Sequence, residues 1–177
     1  MHTVWIRAIG AVMEEDISAI ETGAVRVLGL GVRRLDPLPT PRHAFDARRN
    51  QYSSVEVMRA FAAAAPTGDA KVVGICEQDL FIPMLTFVFG QAQLGGRLAL
   101  VSLARLRQEF YGLPPDHSVL IARAVKEVSH ELGHTFGLAH CQDRLCSMSV
   151  STDVRQVDGK HADYCRSCAA LVREMTR

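Results

Sequence analysis

Apolar positions change period several times along the chain, and each change predicts an element. Thr3–Ile9 is a short run of apolar, β-branched and aromatic residues, the pattern of a strand. Positions 14–25 open with acidic residues and continue with apolar ones at helical spacing, which predicts a helix. A second strand is predicted over 27–32. Positions 36–50 contain Pro37, Pro39, Pro41 and three arginines, and they read as an exposed loop. Positions 54–65 are alanine-rich and helical, stopped by Pro66-Thr67-Gly68. Lys71–Cys76 is strongly apolar, as a buried central strand requires. Two more strands are predicted over 85–89 and 97–102, around a turn at Gly95-Gly96.

Pro114-Pro115-Asp116 punctuates the start of a long helix, which the pattern carries to about Phe136. Ile121, Val125, Val128 and Leu132 recur at helical intervals and form an apolar stripe. Arg123, Glu127, His130 and His134 form a second stripe well round the cylinder. The expectation is a helix that packs by one side and presents the histidines from the other. Strands alternating with helices imply an α/β fold, a mixed and mostly parallel twisted sheet covered by helices. No internal repeat interrupts this order.

Composition narrows the class. A chain of 177 residues is one domain able to bury a real core, and 48% apolar with 22% charged residues is ordinary for a globular protein. The net charge of +1 argues against nucleic acid or an anionic membrane as an obligate partner, and neither is expected. No apolar run approaches the roughly 20 residues that span a bilayer. The first residues lack a basic segment leading into an apolar signal core, and a strand-like run begins at once. A cytoplasmic monomer is the expectation.

The candidate chemistry lies in His130-Glu131-Leu132-Gly133-His134-Thr135-Phe136-Gly137-Leu138-Ala139-His140. On a helix His130 and His134 are one turn apart on one face, so both can reach a single metal. Glu131 lies on the adjacent stripe, close enough to touch a water bound to that metal. A third imidazole cannot come from further along the same face without a poor bite angle. The chain has to turn, and Gly137 can take the positive φ that ends a helix. His140 then approaches from outside the helix axis. The bland alternative is a surface helix with two solvated histidines.

Four of the five cysteines fall at or beyond position 141: Cys141, Cys146 and the pair Cys165 and Cys168, the last two a CxxC. Four thiolates satisfy a tetrahedral zinc. Consecutive residues of an extended segment point apart, so His140 can serve one metal and Cys141 a second. A pair of disulfides is the alternative, disfavoured because nothing suggests an oxidising compartment. Cys76, on the buried strand, reads as a core residue.

The run from His130 to Cys141, followed by Cys146, Met148, Cys165 and Cys168, resembles the archaemetzincins, a branch of the metzincin clan of zinc metallopeptidases. Residues 101–107, Phe110-Tyr111-Gly112-Leu113, then Arg123, Lys126 and Glu127, and Asp158 and Lys160 in the tail, share that likeness, which is dense from Leu98 to Cys168. The spacer 149–164 is one residue shorter than the family pattern, which a loop absorbs.

The resemblance implies a metzincin-like domain with a zinc-bound C-terminal tail: an α/β subdomain over 1–137 ending in the active-site helix, and a subdomain over 138–177 holding a four-cysteine zinc. It implies two Zn²⁺ ions, one catalytic on His130, His134 and His140 and one structural on Cys141, Cys146, Cys165 and Cys168. Met148 would pack beneath the histidines. The activity implied is hydrolysis of peptide bonds by a zinc-activated water, with Glu131 as general base and later as proton donor to the leaving amine. By the same likeness a peptide or protein substrate would add to an edge strand, for which residues 87–93 are the candidate. A zinc-stabilised module that binds peptides without cleaving them, or a hydrolase of a non-peptide amide, are the other readings. His2, His43 and His117 show no partner pattern, His161 reads as solvated, and Tyr111 and Tyr164 read as packing residues.

Overall fold

A computed structural model describes residues 3–175, so His2 lies outside the described residues. In chain order the elements are β1 (Thr3–Ile9), α1 (Glu14–Leu28), β2 (Gly31–Arg34), β3 (Phe45–Asp46), β4 (Gln51–Ser53), α2 (Ser54–Ala62), β5 (Lys71–Cys76), β6 (Leu80–Phe81), β7 (Gly90–Ala92), β8 (Leu98–Ser102), α3 (His117–Thr135), α4 (Val154–Gly159) and α5 (Arg166–Met175). The main sheet runs β2-β1-β5-β8-β7, and a small sheet runs β3-β4-β6. In the main sheet β2, β1, β5 and β8 are parallel, while β7 closes the edge antiparallel to β8. This is the expected α/β fold with a mixed, mostly parallel sheet.

Period-two alternation sorts each central strand between two cores. Val4 and Ile6 of β1, Val73 and Ile75 of β5, and Ala99 and Val101 of β8 face α1 and α3. Their neighbours Ile9, Val72, Cys76, Leu98 and Leu100 face Val57, Met58 and Phe61 of α2. Because both faces are covered, the strands read as nearly continuous apolar runs. A third, smaller cluster joins Leu138, Cys146, Met148 and Cys168 at the C-terminal end. No helix among the described residues is long and apolar enough to cross a membrane.

The long helix α3 differs from its sequence reading. Its core stripe is Leu120, Ala124, Val128 and Leu132, rotated from the expected one, and Ile121 only packs at its margin. Nor is the histidine side left open. Arg123, Glu127 and His130 are buried with partners from the segment after Gly137, namely Asp158, Lys160 and Ser147, and Glu131 is buried against Gly90 of β7. Periodicity identifies one apolar stripe but cannot say that a polar stripe will be covered by distant chain.

Other boundaries move for local reasons. α1 continues to Leu28 and is stopped by Gly29 in the left-handed region (φ 63°), so the second strand begins at Gly31 and not at Val27. Val27 and Leu28 are apolar in either state, and a short run cannot decide between them. The loop 36–50 contains a 3-10 turn at Arg42–Ala44 and the strand β3, whose turn into β4 is held by Asp46 Oδ1 accepting from the Arg48 and Arg49 amides. The strand expected over 85–89 lies instead at Gly90–Ala92. The tail, for which no elements are predicted, carries α4 and α5.

Candidate active site

The last turns of α3 present His130, Glu131 and His134, and the way the helix ends brings in the third imidazole. Gly137 adopts φ 85°, its amide donates to His134 O (2.9 Å), and the Leu138 amide donates to Gly133 O (3.0 Å). These are the paired bonds of a Schellman ending, which reverses the chain at the point where glycine is needed. His140 then stacks on His130, with ring centroids 5.3 Å apart and planes 24° apart. One ring nitrogen from each of the three histidines lies within 4.8 Å of the others.

Backbone carbonyls set the tautomers of two rings. His130 Nδ1 lies 2.8 Å from Ser147 O, and His134 Nδ1 lies 2.7 Å from Leu138 O. A carbonyl only accepts, so each Nδ1 carries the proton and each Nε2 keeps its lone pair. The two Nε2 atoms face each other at 3.2 Å. Metal–nitrogen bonds of about 2.0–2.1 Å in a tetrahedron place nitrogens about 3.3 Å apart, so the spacing fits one zinc ion. Burial, with a smaller contribution from the Lys160 charge, lowers the His130 pKa to about 3, which keeps the ring neutral and able to ligate.

Glu131 is fully covered against the edge of the sheet. A Cβ on Gly90 of β7 would lie 2.6 Å from Glu131 Oε1 and 2.7 Å from the Leu100 carbonyl, so only glycine fits between helix and strand. Burial and then the Glu127 carboxylate push the Glu131 pKa well above the ordinary carboxylate value, with Lys160 opposing. A cavity of about 600 Å³ opens over these groups. It is lined by Gly90, Gln91 and Ala92 of β7, by His130, Glu131 and His134 of α3, and by Val150, Ser151 and Thr152 of the tail. Among the described residues β7 has no second strand partner, so its outer edge is free along this cavity.

Met148 is fully buried beneath the site, and a Cβ on Gly133 would collide with its sulfur. Its backbone is tied in as well: Met148 O accepts from the Cys141 amide at 2.9 Å, one residue after the carbonyl that fixes His130. Cys141, Cys146, Cys165 and Cys168 converge next to it, all four thiols unbridged and their sulfurs within 4.8 Å of one another. The Cys141 and Cys165 sulfurs are 3.8 Å apart, too far for the roughly 2.05 Å of a disulfide. Metal–sulfur bonds of about 2.3 Å in a tetrahedron separate sulfurs by about 3.8 Å, so this cluster also fits zinc. Without a cation the four are mismatched. Burial raises the Cys146 and Cys168 pKa values, while the Cys168 amide lowers that of Cys165.

The tail residues Asp158 and Lys160, for which spacing suggested no role, bind α3. Arg123 Nε and Nη2 each lie 2.7 Å from the Asp158 carboxylate, and Lys126 Nζ donates to the Val157 and Asp158 carbonyls. Lys160 Nζ lies 2.9 Å from Glu127 Oε1, both side chains buried. These pairings span more than thirty positions and leave no local signature. Elsewhere the sequence readings hold: Cys76 is a buried core residue with its pKa pushed up to about 12, and His43 and His161 are exposed. Tyr111 and Tyr164 bond the carbonyls of Arg105 and Ser129. His117 differs, since its Nε2 lies 2.9 Å from Asp16 Oδ1. Glu15, Asp16 and His117 cluster, but Arg107 occupies the second Asp16 oxygen at 2.8 Å, which makes this an ion-pair group.

Imidazoles on a helix that ends in a glycine turn, a carboxylate beside them and a free antiparallel edge along the cleft are the marks of a zinc metallopeptidase. Comparison with known proteins makes the assignment specific. Residues 45–174 match the profile of peptidase family M54. The archaemetzincin of Methanocaldococcus jannaschii is 39% identical over 171 residues, covering 97% of this chain and 93% of its own. The crystal structure of archaemetzincin from Methanopyrus kandleri superposes with a TM-score of 0.86 at 35% identity, over 99% of this chain and 95% of that one. A zinc-dependent peptidase from Methanocorpusculum labreanum gives 0.88 at 30% identity, over 96% and 99%. The chain belongs to peptidase family M54, the archaemetzincins.

Proposed function

We propose that the protein hydrolyses peptide bonds at the three-histidine site, with Glu131 as the proton-transferring group, and that it holds two zinc ions with different tasks. His130, His134 and His140 would hold the catalytic ion; Cys141, Cys146, Cys165 and Cys168 would hold the structural one. Zinc at the histidines supplies a Lewis acid for the scissile carbonyl and makes a water acidic enough, with a pKa of about 7, to attack near neutral pH. The chain supplies the rest. A peptide pairs with the free edge of β7 and is thereby drawn across the cavity. Glu131 accepts a proton from the attacking water and returns it to the leaving amine, which would otherwise be a poor leaving group. Burial raises its affinity for that proton and so favours the first transfer.

The observation that carries this reading is the pairing of Glu131 with Gly90. A carboxylate held against a strand edge that lines the cavity serves a reaction on a strand-bound peptide, and a pure binder has no use for it. The cysteine cluster has a positional task. Cys141 follows His140 directly and is bonded to the Met148 backbone, so a zinc anchored there fixes the third imidazole and the floor beneath all three rings. In this division residues 1–137 provide the sheet and the active-site helix, and 138–177 a metal-held closure. Thiolate ligands persist where disulfides do not form, which supports a cytoplasmic location.

The test is a peptide-library digest by the zinc-loaded protein and its Glu131→Ala variant, with metal content measured on both. Cleavage that disappears in a variant still holding two zincs supports these roles. Equal capture of peptides by both proteins, with cleavage by neither, would leave a binding module.

A further inference from the structure

The cavity extends past the groups needed for hydrolysis to a buried ion pair. Glu127 lines it, one helical turn before Glu131 on α3 and 3% exposed. Lys160, with a side-chain exposure of 0%, places Nζ 2.9 Å from Glu127 Oε1 but does not itself line the cavity. The pair is therefore a buried dipole of which the Glu127 side, and not the Lys160 side, belongs to the cavity lining. Apart from that ion pair, no hydrogen bond reaches Glu127 Oε1, and the hydroxyl of Ser151, which lines the same cavity, is also without a partner.

The position along the helix says which part of a substrate reaches this end. Glu131 lies toward the leaving amine if it delivers the proton to it. Glu127 lies about 6 Å further along the helix axis, away from the midpoint of His130 and His134. A side chain entering there belongs to the residue that follows the scissile bond. We propose that Glu127 selects a cationic side chain at that position, lysine or arginine. This rests on the peptidase reading of the same site and assigns its substrate class. The aliphatic stem of such a side chain can lie along apolar wall residues such as Phe87 and Val150 while its charged tip meets the carboxylate. An acidic side chain meets a like charge. A neutral apolar one strips water from Glu127 and returns no donor.

Three peptides that differ only in the residue after the scissile bond, lysine, norleucine or glutamate, test the proposal on the zinc-loaded protein. Wild type is expected to favour lysine over norleucine by about tenfold or more in kcat/KM, with glutamate poorest. Glu127→Gln leaves the Lys160 charge uncompensated behind the cavity and is expected to reverse the order of lysine and glutamate. Glu127→Leu combined with Lys160→Met is expected to favour norleucine. Ratios taken within one preparation are independent of how much of a variant folds, and the wild-type ranking needs no variant. Calorimetric binding of the product peptides, which begin with the same three residues, reads the ranking without turnover. Equal rates or affinities for the three in wild type, or an unchanged ranking in Glu127→Gln, overturn the proposal. Absence of any cleavage, with the binding order still lysine first, overturns the peptidase reading and leaves the selectivity standing.

Discussion

Glu131 and Gly90 constrain each other, and the constraint can be tested from either partner. Glu131→Gln keeps the shape of the side chain and removes its proton chemistry, so kcat/KM should fall by about 10²- to 10⁴-fold with zinc content unchanged. Gly90→Ala adds a methyl 2.6 Å from Glu131 Oε1 and 2.7 Å from the Leu100 carbonyl, a backbone atom of β8 that cannot yield, so it presses on the carboxylate as well as on the strand. The edge strand must move outward. We expect a loss of about tenfold to a hundredfold in kcat/KM with the melting temperature nearly retained, since among the described residues β7 has a strand partner on one side only. A normal rate for Gly90→Ala would show that substrate does not use this edge. The two residues also mark the limit of what the sequence discloses. Glu131 was legible because its partners are three and one positions away in a string whose spacing has a helical meaning. Gly90 was passed over because its reason for being glycine lies forty-one positions off, on another element.

At the scale of elements the tail is pinned to α3 by ion pairs of different worth. Asp158 is partly exposed, so water can replace it, but Arg123 is buried and would keep only its bond to the Leu106 carbonyl. Asp158→Ala should therefore cost about 1–3 kcal/mol, measured by urea unfolding. Lys160→Met should cost more, about 3–5 kcal/mol, because it leaves the Glu127 carboxylate buried and unpaired. The double variant Glu127→Leu with Lys160→Met removes both charges and should recover most of that loss. Failure to recover would mean that the two residues do not act as a pair. Periodicity made α3 and the central strands plain, because their burial repeats every few residues. It misplaced β2 and β7, whose ends are set by a left-handed glycine and by a close approach to a helix. It said nothing of α4 and α5, which are short and owe their places to Arg123, Lys126 and the cysteine cluster rather than to an apolar stripe of useful length.

For the whole molecule, the two proposed metal sites differ in how water reaches them. His140 is exposed and the histidine site opens on a cavity of about 600 Å³, whereas Cys146 and Cys168 are buried in the cluster with Leu138 and Met148. A small chelator such as 1,10-phenanthroline can thus reach the first ion in the folded protein, while the second is released only when the tail opens. Treatment of the two-zinc protein should remove one equivalent quickly, abolish cleavage and shift the melting temperature by only a few degrees. The remaining equivalent should leave on the timescale of unfolding. Its loss should unfold the region after Gly137, because the zinc would be what holds Cys141, Cys146, Cys165 and Cys168 together. Cys165→Ser should then behave unlike any histidine variant. It should lower stability first and activity as a consequence, and adding zinc should restore neither. If both equivalents leave together at one rate, the sites are not independent, and the tail must open whenever the active site gives up its metal. The route from Cys141 through the Met148 backbone to the carbonyl that holds His130 would then be the mechanical link to cut.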